Sequence, residues 1–284
     1  MKKLHEANPA RSMAALCDAL SVPRSSFYYR SQRRDEAPLR ASVSEVVGEW
    51  PRYGSARVAV QMKREGIAFH GKPVGERRTR RLMREMGLLA KARPRKVRTT
   101  NSEHSLPRFE NLVKELTINH PDQVWVGDIT YVALESGFVY LAVVMDVFTR
   151  SIRGWHLSRG LDADLTLTAL KQALQRGTPV IHHSDQGVQY AATEYVSLLL
   201  GRGVAISMAA VGCPEENGFA ERLIRTIKEE HVSLSEYQNP EDARAQIGQF
   251  LSEVYQTKRI HSALGYLTPA EFEAAYRAGT AQAQ

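Results

Sequence analysis

Between residues 123 and 208 the hydrophobic period of the chain changes several times, and the order of those changes leaves few folds open. Residues 123–134 are rich in β-branched and aromatic side chains, 135–137 (Glu-Ser-Gly) form a hairpin turn, and 138–148 and 151–157 continue as a second and a third strand. The period then becomes helical: Leu165, Leu167, Leu170, Ala173 and Leu174 predict a helix over 163–175. A strand over 179–184, a helix over 191–200 and a strand over 204–208 follow. Three hairpin-connected strands, then alternating helix and strand, predict an α/β class: a mixed sheet flanked by helices.

The front of the chain reads differently. Ala14, Ala15, Leu16, Ala19 and Leu20 make an apolar stripe, Ser21-Val22-Pro23 breaks it, and residues 24–30 resume a helix. Both a small helix-turn-helix and a plain helical hairpin fit that pattern. A polar linker over 32–38 leads to a second helical unit. Val43, Val46, Val47 and Trp50 define one helix, and Val58, Val60, Met62 and Ile67 the next helix and its exit. A third helix is expected from Pro73 to about Met86, stopped by Gly87. The expected division is an N-terminal helical segment (1–36), a basic all-α region (37–98), a linker (99–118), a working domain (119–277) and a disordered tail (278–284).

Charge separates the same two parts. Residues 1–110 carry a net +13 and the remainder −6, within a whole-chain +7. Ten of the basic residues fall in one stretch: Arg77, Arg78, Arg80, Arg81, Arg84, Lys91, Arg93, Arg95, Lys96 and Arg98, against the single acid Glu85. A free helix and tail would repel themselves, and phosphates relieve that repulsion, so these ten are expected to bind DNA. No run of 18 apolar residues is present, residues 1–6 lack the apolar core of a secretory signal, and Cys17 and Cys213 are the only cysteines. The expectation is a cytoplasmic, nucleoid-associated protein with no membrane partner.

Three carboxylates carry the expected chemistry. Asp128 lies within the strand over 123–134, whose two faces are both largely apolar. A lone carboxylate there is either a strand-end Asp bonded to a loop or a paired, metal-binding group. Asp185 closes the strand over 179–184 and opens into the turn Gln186-Gly187, at a strand end where ligands gather in such sheets. Glu221 follows Asp185 after 35 intervening residues, on a helix that Pro214 can open. Projected at helical period, Asn217, Arg225 and Lys228 share its face, while Phe219, Leu223 and Ile227 fall opposite. That face is either a solvated salt-bridged surface or a metal ligand flanked by phosphate-binding groups. Hard oxygen ligands suit Mg²⁺ (or Mn²⁺), and two such ions can drive an in-line displacement at phosphorus. His182 and His183 lack cysteine partners at zinc-site spacing and are expected to have a positioning or core role.

The order of short motifs is more specific than any one of them. Trp125-x-x-Asp128-Ile129-Thr130-Tyr131, then His182-His183-Ser184-Asp185-x-Gly187-x-Gln189-Tyr190, then Glu216-Asn217-x-x-x-Glu221-Arg222 with Lys228, resemble the DDE core of insertion-sequence transposases related to retroviral integrase. The stretch from Tyr255 through Arg259, His261 and Thr268-Pro269 to Phe272 resembles the end of the orfB-type transposases of the insertion-sequence-three family. Tyr53-Gly54 and Arg80-Arg81-Leu82-Met83-Arg84-Glu85-x-Gly87-Leu88 resemble the helix-turn-helix region that precedes that core. One departure is Glu216, where the family often has Asp. The resemblance implies a ribonuclease-H-like fold and metal-dependent cleavage and strand transfer of mobile DNA. It implies Asp128, Asp185 and Glu221 as metal ligands, with Asn217, Arg225, Lys228 and Arg259 among the DNA contacts. It also implies a homo-multimer on double-stranded DNA (element ends and target), and a possible fusion to an upstream reading frame. The alternatives are a catalytically silent DNA-binding remnant or regulator, and a ribonuclease-H-type nuclease.

Overall fold

The structure is a computed structural model that describes residues 12–25, 35–89, 107–210 and 213–279. The expected helix over 24–30, apart from Arg24 and Ser25, lies outside the described residues. So do Lys91, Arg93, Arg95, Lys96, Arg98, the linker from 99 to 106 and the tail from 280. The chain divides into two compact units, Met1–Ser42 and Val43–Gln284. In the first, α1 (Met13–Ala19) starts where the Ser12 hydroxyl accepts from the Ala15 N–H, and it buries Leu16 and Cys17. The helix α2 (Ala37–Glu49) begins in this unit and ends in the second.

The second unit opens with α3 (Ser55–Arg64), which buries Val58, Ala59 and Met62. The third expected helix starts later than Pro73. Ala68–Phe69 (β1) and Lys72–Pro73 (β2) pair antiparallel, and the helix α4 runs Glu76–Glu85. His70 and Gly71 both have positive φ, the backbone that closes a tight hairpin, so the fixed φ of Pro73 serves a strand and not a helix start. Gly87 stops the helix as expected, with φ 69°.

Five strands form the main sheet: β3 (Val124–Ala133), β4 (Phe138–Asp146), β5 (Ile152–Ser158), β6 (Ile181–Ser184) and β7 (Ala205–Met208), in the order β5-β4-β3-β6-β7. The hairpin strands pair antiparallel, whereas β6 and β7 join parallel after helical crossovers. Helix α5 (Ala163–Leu174), capped by Asp162, and α6 (Thr193–Leu200) cover one face over Trp125, Ala142 and Val144. Gly154 lets α5 approach β5, since a Cβ there would stand 2.2 Å from the Ala169 carbonyl. Helix α7 (Gly218–Glu230), α8 (Pro240–Gln249) and the π-helical turn Phe250–Tyr255 cover the other face over Val124, Val126, Leu141 and Val143. Helix α9 (Pro269–Arg277) begins with a capping box between Thr268 and Glu271. Among the described residues no helix is long and apolar enough to cross a membrane.

The basic helical region is not a free arm where it meets the sheet domain. The Ile260 N–H donates to Tyr53 Oη at 3.1 Å, Arg52 Nε donates to the Glu229 carbonyl at 3.2 Å, and Arg64 pairs with Glu271. Tyr53 is fully buried and stacks on Trp50.

Candidate active site

Strand geometry brings the first two carboxylates together. In the parallel pair of β3 and β6, Val126 stands opposite His183. Two further residues along each strand are Asp128 and Asp185, so continuing the register sets them side by side where the pairing ends. Alternation along β3 puts Asp128 on the face of Val124, Val126 and Val132, which is the face that α7 covers with Ala220, Leu223, Ile224 and Ile227. Glu221, on the first turn of α7, lies on that same side of the sheet and is close enough for its charge to act on Asp128.

Backbone N–H groups fix both aspartates. Asp128 Oδ1 accepts from the Ile129 N–H at 2.8 Å, and Asp185 Oδ1 from the Gly187 N–H at 2.9 Å. Burial, then the neighbouring charge of Asp185, then that of Glu221 push the Asp128 carboxyl up to about 8, against opposition from the Ile129 N–H and Lys228. Burial raises Asp185 as well. Both aspartates are half-buried and Glu221 is exposed. Among the described residues no three His, Cys, Asp or Glu side chains converge closely enough to hold a metal ion. Asp185 and Glu221 both act by their charge on Asp128, so the three carboxylates lie in one neighbourhood.

The flanking residues divide. Lys228 is half-buried, with Nζ 4.1 Å from the centroid of the Tyr131 ring on β3. Arg225 is exposed, as are Arg77, Arg78, Arg80, Arg81 and Arg84 on α4. Asn217 departs from the helical projection. Pro214–Asn217 is a 3₁₀ turn, the α-helix starts only at Gly218, and Asn217 is 4% exposed instead of lying on the open face of Glu221. The same turn displaces Phe219, which is 40% exposed under the Arg150 guanidinium and not packed with Leu223 and Ile227. Arg259 is buried and clamped by both carboxylate oxygens of Glu230, at 2.5 and 2.7 Å, so its guanidinium locks the end of α7 to the C-terminal segment.

The histidines serve the core. His182 Nε2 shares a 2.9 Å hydrogen bond with Tyr195 Oη, and His183 bonds Ser207 Oγ and the Glu216 carbonyl. Glu216 accepts from Asn111 Nδ2 and the Ala210 N–H and faces Lys114, which ties residues 110–114 to the start of α7.

Tyr190 received no role from the sequence. Its ring packs where a Cβ on Gly127 would stand 3.1 Å away, and His182 and Tyr195 border it. Its hydroxyl is buried without a hydrogen-bond partner in the structure and feels the charges of Asp128 and Asp185. The legible signal was the glycine immediately before Asp128, because a glycine inside a strand marks close approach by another group.

Residues 118–214 and 202–269 match two families each described as integrase core domain, and residues 33–96 match an HTH-like domain. The chain is 33% identical over 275 residues to the transposase InsF for insertion sequence IS3A of Escherichia coli (strain K12), covering 92% of this chain and 94% of that protein. It is 34% identical over 226 residues to the transposase for insertion sequence element IS904 of Lactococcus lactis, covering 78% and 87%. Among solved structures, the catalytic core domain of HTLV-2 integrase in complex with magnesium aligns with a TM-score of 0.43 at 17% identity, over 54% of this chain and 96% of that one.

Proposed function

Because the chain belongs to the IS3 family of transposases, with a ribonuclease-H-like integrase core behind a helix-turn-helix-like region, we propose that Asp128, Asp185 and Glu221 are the residues through which it cuts and joins DNA. The family makes it a DNA transposase and a polynucleotidyl transferase. The observation that supports the residue assignment is the parallel register of β3 and β6, whose continuation past Val126 and His183 brings Asp128 and Asp185 next to each other, together with the charge that Asp185 and Glu221 exert on Asp128.

The donor set fits hard divalent cations: three carboxylates from three separate elements, one of them driven well above its ordinary pKa by burial and then by its acidic neighbours. Asp128 and Asp185, with Glu221, would hold Mg²⁺ or Mn²⁺, on this reading two ions. Bound there, the metal would supply activation of the attacking oxygen and stabilisation of the leaving one. The protein supplies the rest. Backbone N–H groups orient the two aspartates, Tyr131 holds the Lys228 ammonium beside them, and that ammonium meets the phosphate under attack. The exposed arginines of α4 would hold duplex DNA, as would the basic residues within 91–98, and Arg225 the strand next to the catalytic helix. Joining two element ends to a target requires more than one copy on the DNA. The need for an upstream-frame fusion partner is tested by expressing the chain with and without that frame.

The deciding experiment is end cleavage and strand transfer on a duplex carrying the terminal repeat that flanks the gene, with Mg²⁺ or Mn²⁺. Asp128→Asn should abolish both reactions and leave DNA binding intact. Full activity in that variant would refute the assignment, and inactivity of the unaltered chain would favour the silent remnant.

A further inference from the structure

Behind the first turn of α7 lies a cavity of about 840 Å³, bounded also by residues 111–114, the β4–β5 turn, and the C-terminal residues 255–263. Arg57 of α3, Arg150 of the β4–β5 turn and Arg222 of α7 all line it. Three acids line it as well, Glu215, Glu216 and Glu221, and Glu230 stands near Arg57. Glu230 is held by Arg259 and approaches Arg57 only to 3.9 Å. Glu216 faces Lys114 and accepts two N–H groups, and Glu221 faces Asp128.

Arg150 is the least satisfied of the three. It is half-buried, has no ion pair among the described residues, and rests on the Phe219 ring at 4.6 Å. Its backbone is left-handed, with φ 61°, a conformation that costs free energy in a non-glycine residue and that clusters at functional sites. Burial above all weakens its hold on its proton, opposed by Tyr255 and Asp146 and reinforced by Arg222, and burial does the same at Arg57, reinforced by Arg259 and Arg222 and opposed by Glu230 and Tyr53. Guanidinium groups gathered around one cavity, with Arg150 lacking an ion pair among the described residues, describe a site completed by an anion.

We propose that Arg57, Arg150 and Arg222 seat a backbone phosphate of the DNA, one distinct from the phosphate that reacts. Arg222 directly follows Glu221, so a strand leaving the carboxylates along α7 reaches this cavity next. Arg57 comes from the helix-turn-helix-like region, so the phosphate bridges that region and the catalytic core. The position on the strand rests on the reading of Asp128, Asp185 and Glu221, whereas the site itself does not.

The test therefore uses full-length chain carrying Asp128→Asn, in EDTA, so that cleavage plays no part. Binding to the terminal-repeat duplex is measured by fluorescence anisotropy from 50 to 200 mM salt. Each lost phosphate contact should lower the log–log salt slope by about 0.9. Arg150→Gln and the exposed Arg222→Gln should each show that loss and weaken binding about tenfold. Arg64→Gln, whose partner is Glu271, should leave the slope unchanged. A duplex with one neutral methylphosphonate near the cleavage point should bind the unaltered arginine background more weakly, yet bind Arg222→Gln no worse than the all-phosphate duplex. Unchanged slopes in both cavity variants would overturn the proposal. A rise in unfolding midpoint with inorganic phosphate or dAMP that Arg222→Gln abolishes, with no change in DNA slope, would assign the cavity to a free anion and overturn its assignment to DNA. Failure of Asp128→Asn to block cleavage would instead strike the catalytic reading and leave these binding results standing.

Discussion

Helices α3 and α4 are both ten residues long, lie next to each other in the chain and carry arginines, yet they use them oppositely. On α3, Arg57 and Arg64 turn toward the sheet domain and meet Glu230 and Glu271. On α4, five arginines stay exposed, and the ion pairs within the helix join Arg80 to Glu76 and Arg81 to Glu85. Only Thr79, Leu82 and Met83 are buried there. Counting basic residues therefore overstates a DNA-binding surface. The measure that matters is where each cation is held: α3 turns its arginines to acids of the sheet domain and docks, whereas α4 keeps all five exposed, with Arg80 and Arg81 paired to acids of the same helix, and presents them.

The largest effect should come from breaking the docked side at its anchor. Glu230→Gln leaves Arg259 buried without its charge partner, and removing one member of a buried pair costs about 3–5 kcal/mol. Chemical denaturation should show that loss. A change below about 1 kcal/mol, the range of exposed ion pairs, would mean the docked side is no tighter than the surface.

Acid should weaken the same side next. Burial, with the charges of Arg259, Arg57 and Arg150, lowers His261 to about 2, and burial with His183 lowers His182 to about 3. Both folded values lie below the unfolded one, so both rings are neutral in the fold and take up protons only on unfolding. Their stability contribution is complete above about pH 6.5 and falls as pH drops below it, by up to about 1.4 kcal/mol per pH unit for each ring. Urea titrations at pH 7.5, 6.0 and 5.0 should show that slope, and His261→Asn should flatten it. Equal midpoints at all three pH values would contradict neutral burial.

These contrasts also show what the sequence could and could not reveal. The sheet was legible because hydrophobic period is local, and Asp128 stood out as a charge inside an apolar strand. Asp185 was legible as a strand end, although the register that sets it beside Asp128 emerges only from pairing across 57 residues of chain. Asn217 and Phe219 were misplaced because a helical projection assumes a constant angle per residue, and a single 3₁₀ turn after Pro214 changes it. Pro73 was misread because proline suits both a helix start and a strand edge, and the decision lay in the positive φ of His70 and Gly71. Arg150 and Glu230 gave no local signal, and Tyr53 none for its role in packing, because their importance comes from residues distant in the chain: Phe219 for Arg150, Arg259 for Glu230 and Ile260 for Tyr53.

A smaller effect should follow from Arg64→Gln. That pair is about a third exposed on each side, so its loss should cost no more than about 1 kcal/mol, and less in high salt. DNA affinity should not change, since the cation already has an acid. A fall in the salt slope would show that Arg64 releases Glu271 when DNA binds, and that α3 presents as well as docks.

The smallest effect on stability, and the sharpest contrast, belongs to α4. Arg77 and Arg84 stand seven residues apart, two turns along one exposed face. Replacing both with Gln should leave unfolding within about 0.5 kcal/mol of the unaltered chain, because neither has an ion pair among the described residues and neither is buried. The same double variant should lower the log–log salt slope of DNA binding by about 2, since two phosphates lose their counter-charge. Glu230→Gln should do the reverse: large in unfolding and, measured where the chain remains folded, small in the slope. If the α4 variant destabilised the chain while leaving the slope intact, its arginines would be solubilising a packed helix, and DNA would have to be held by residues 91–98 or by the cavity behind α7. Stability and salt slope moving independently in the two variants is what separates a helix that docks from a helix that presents.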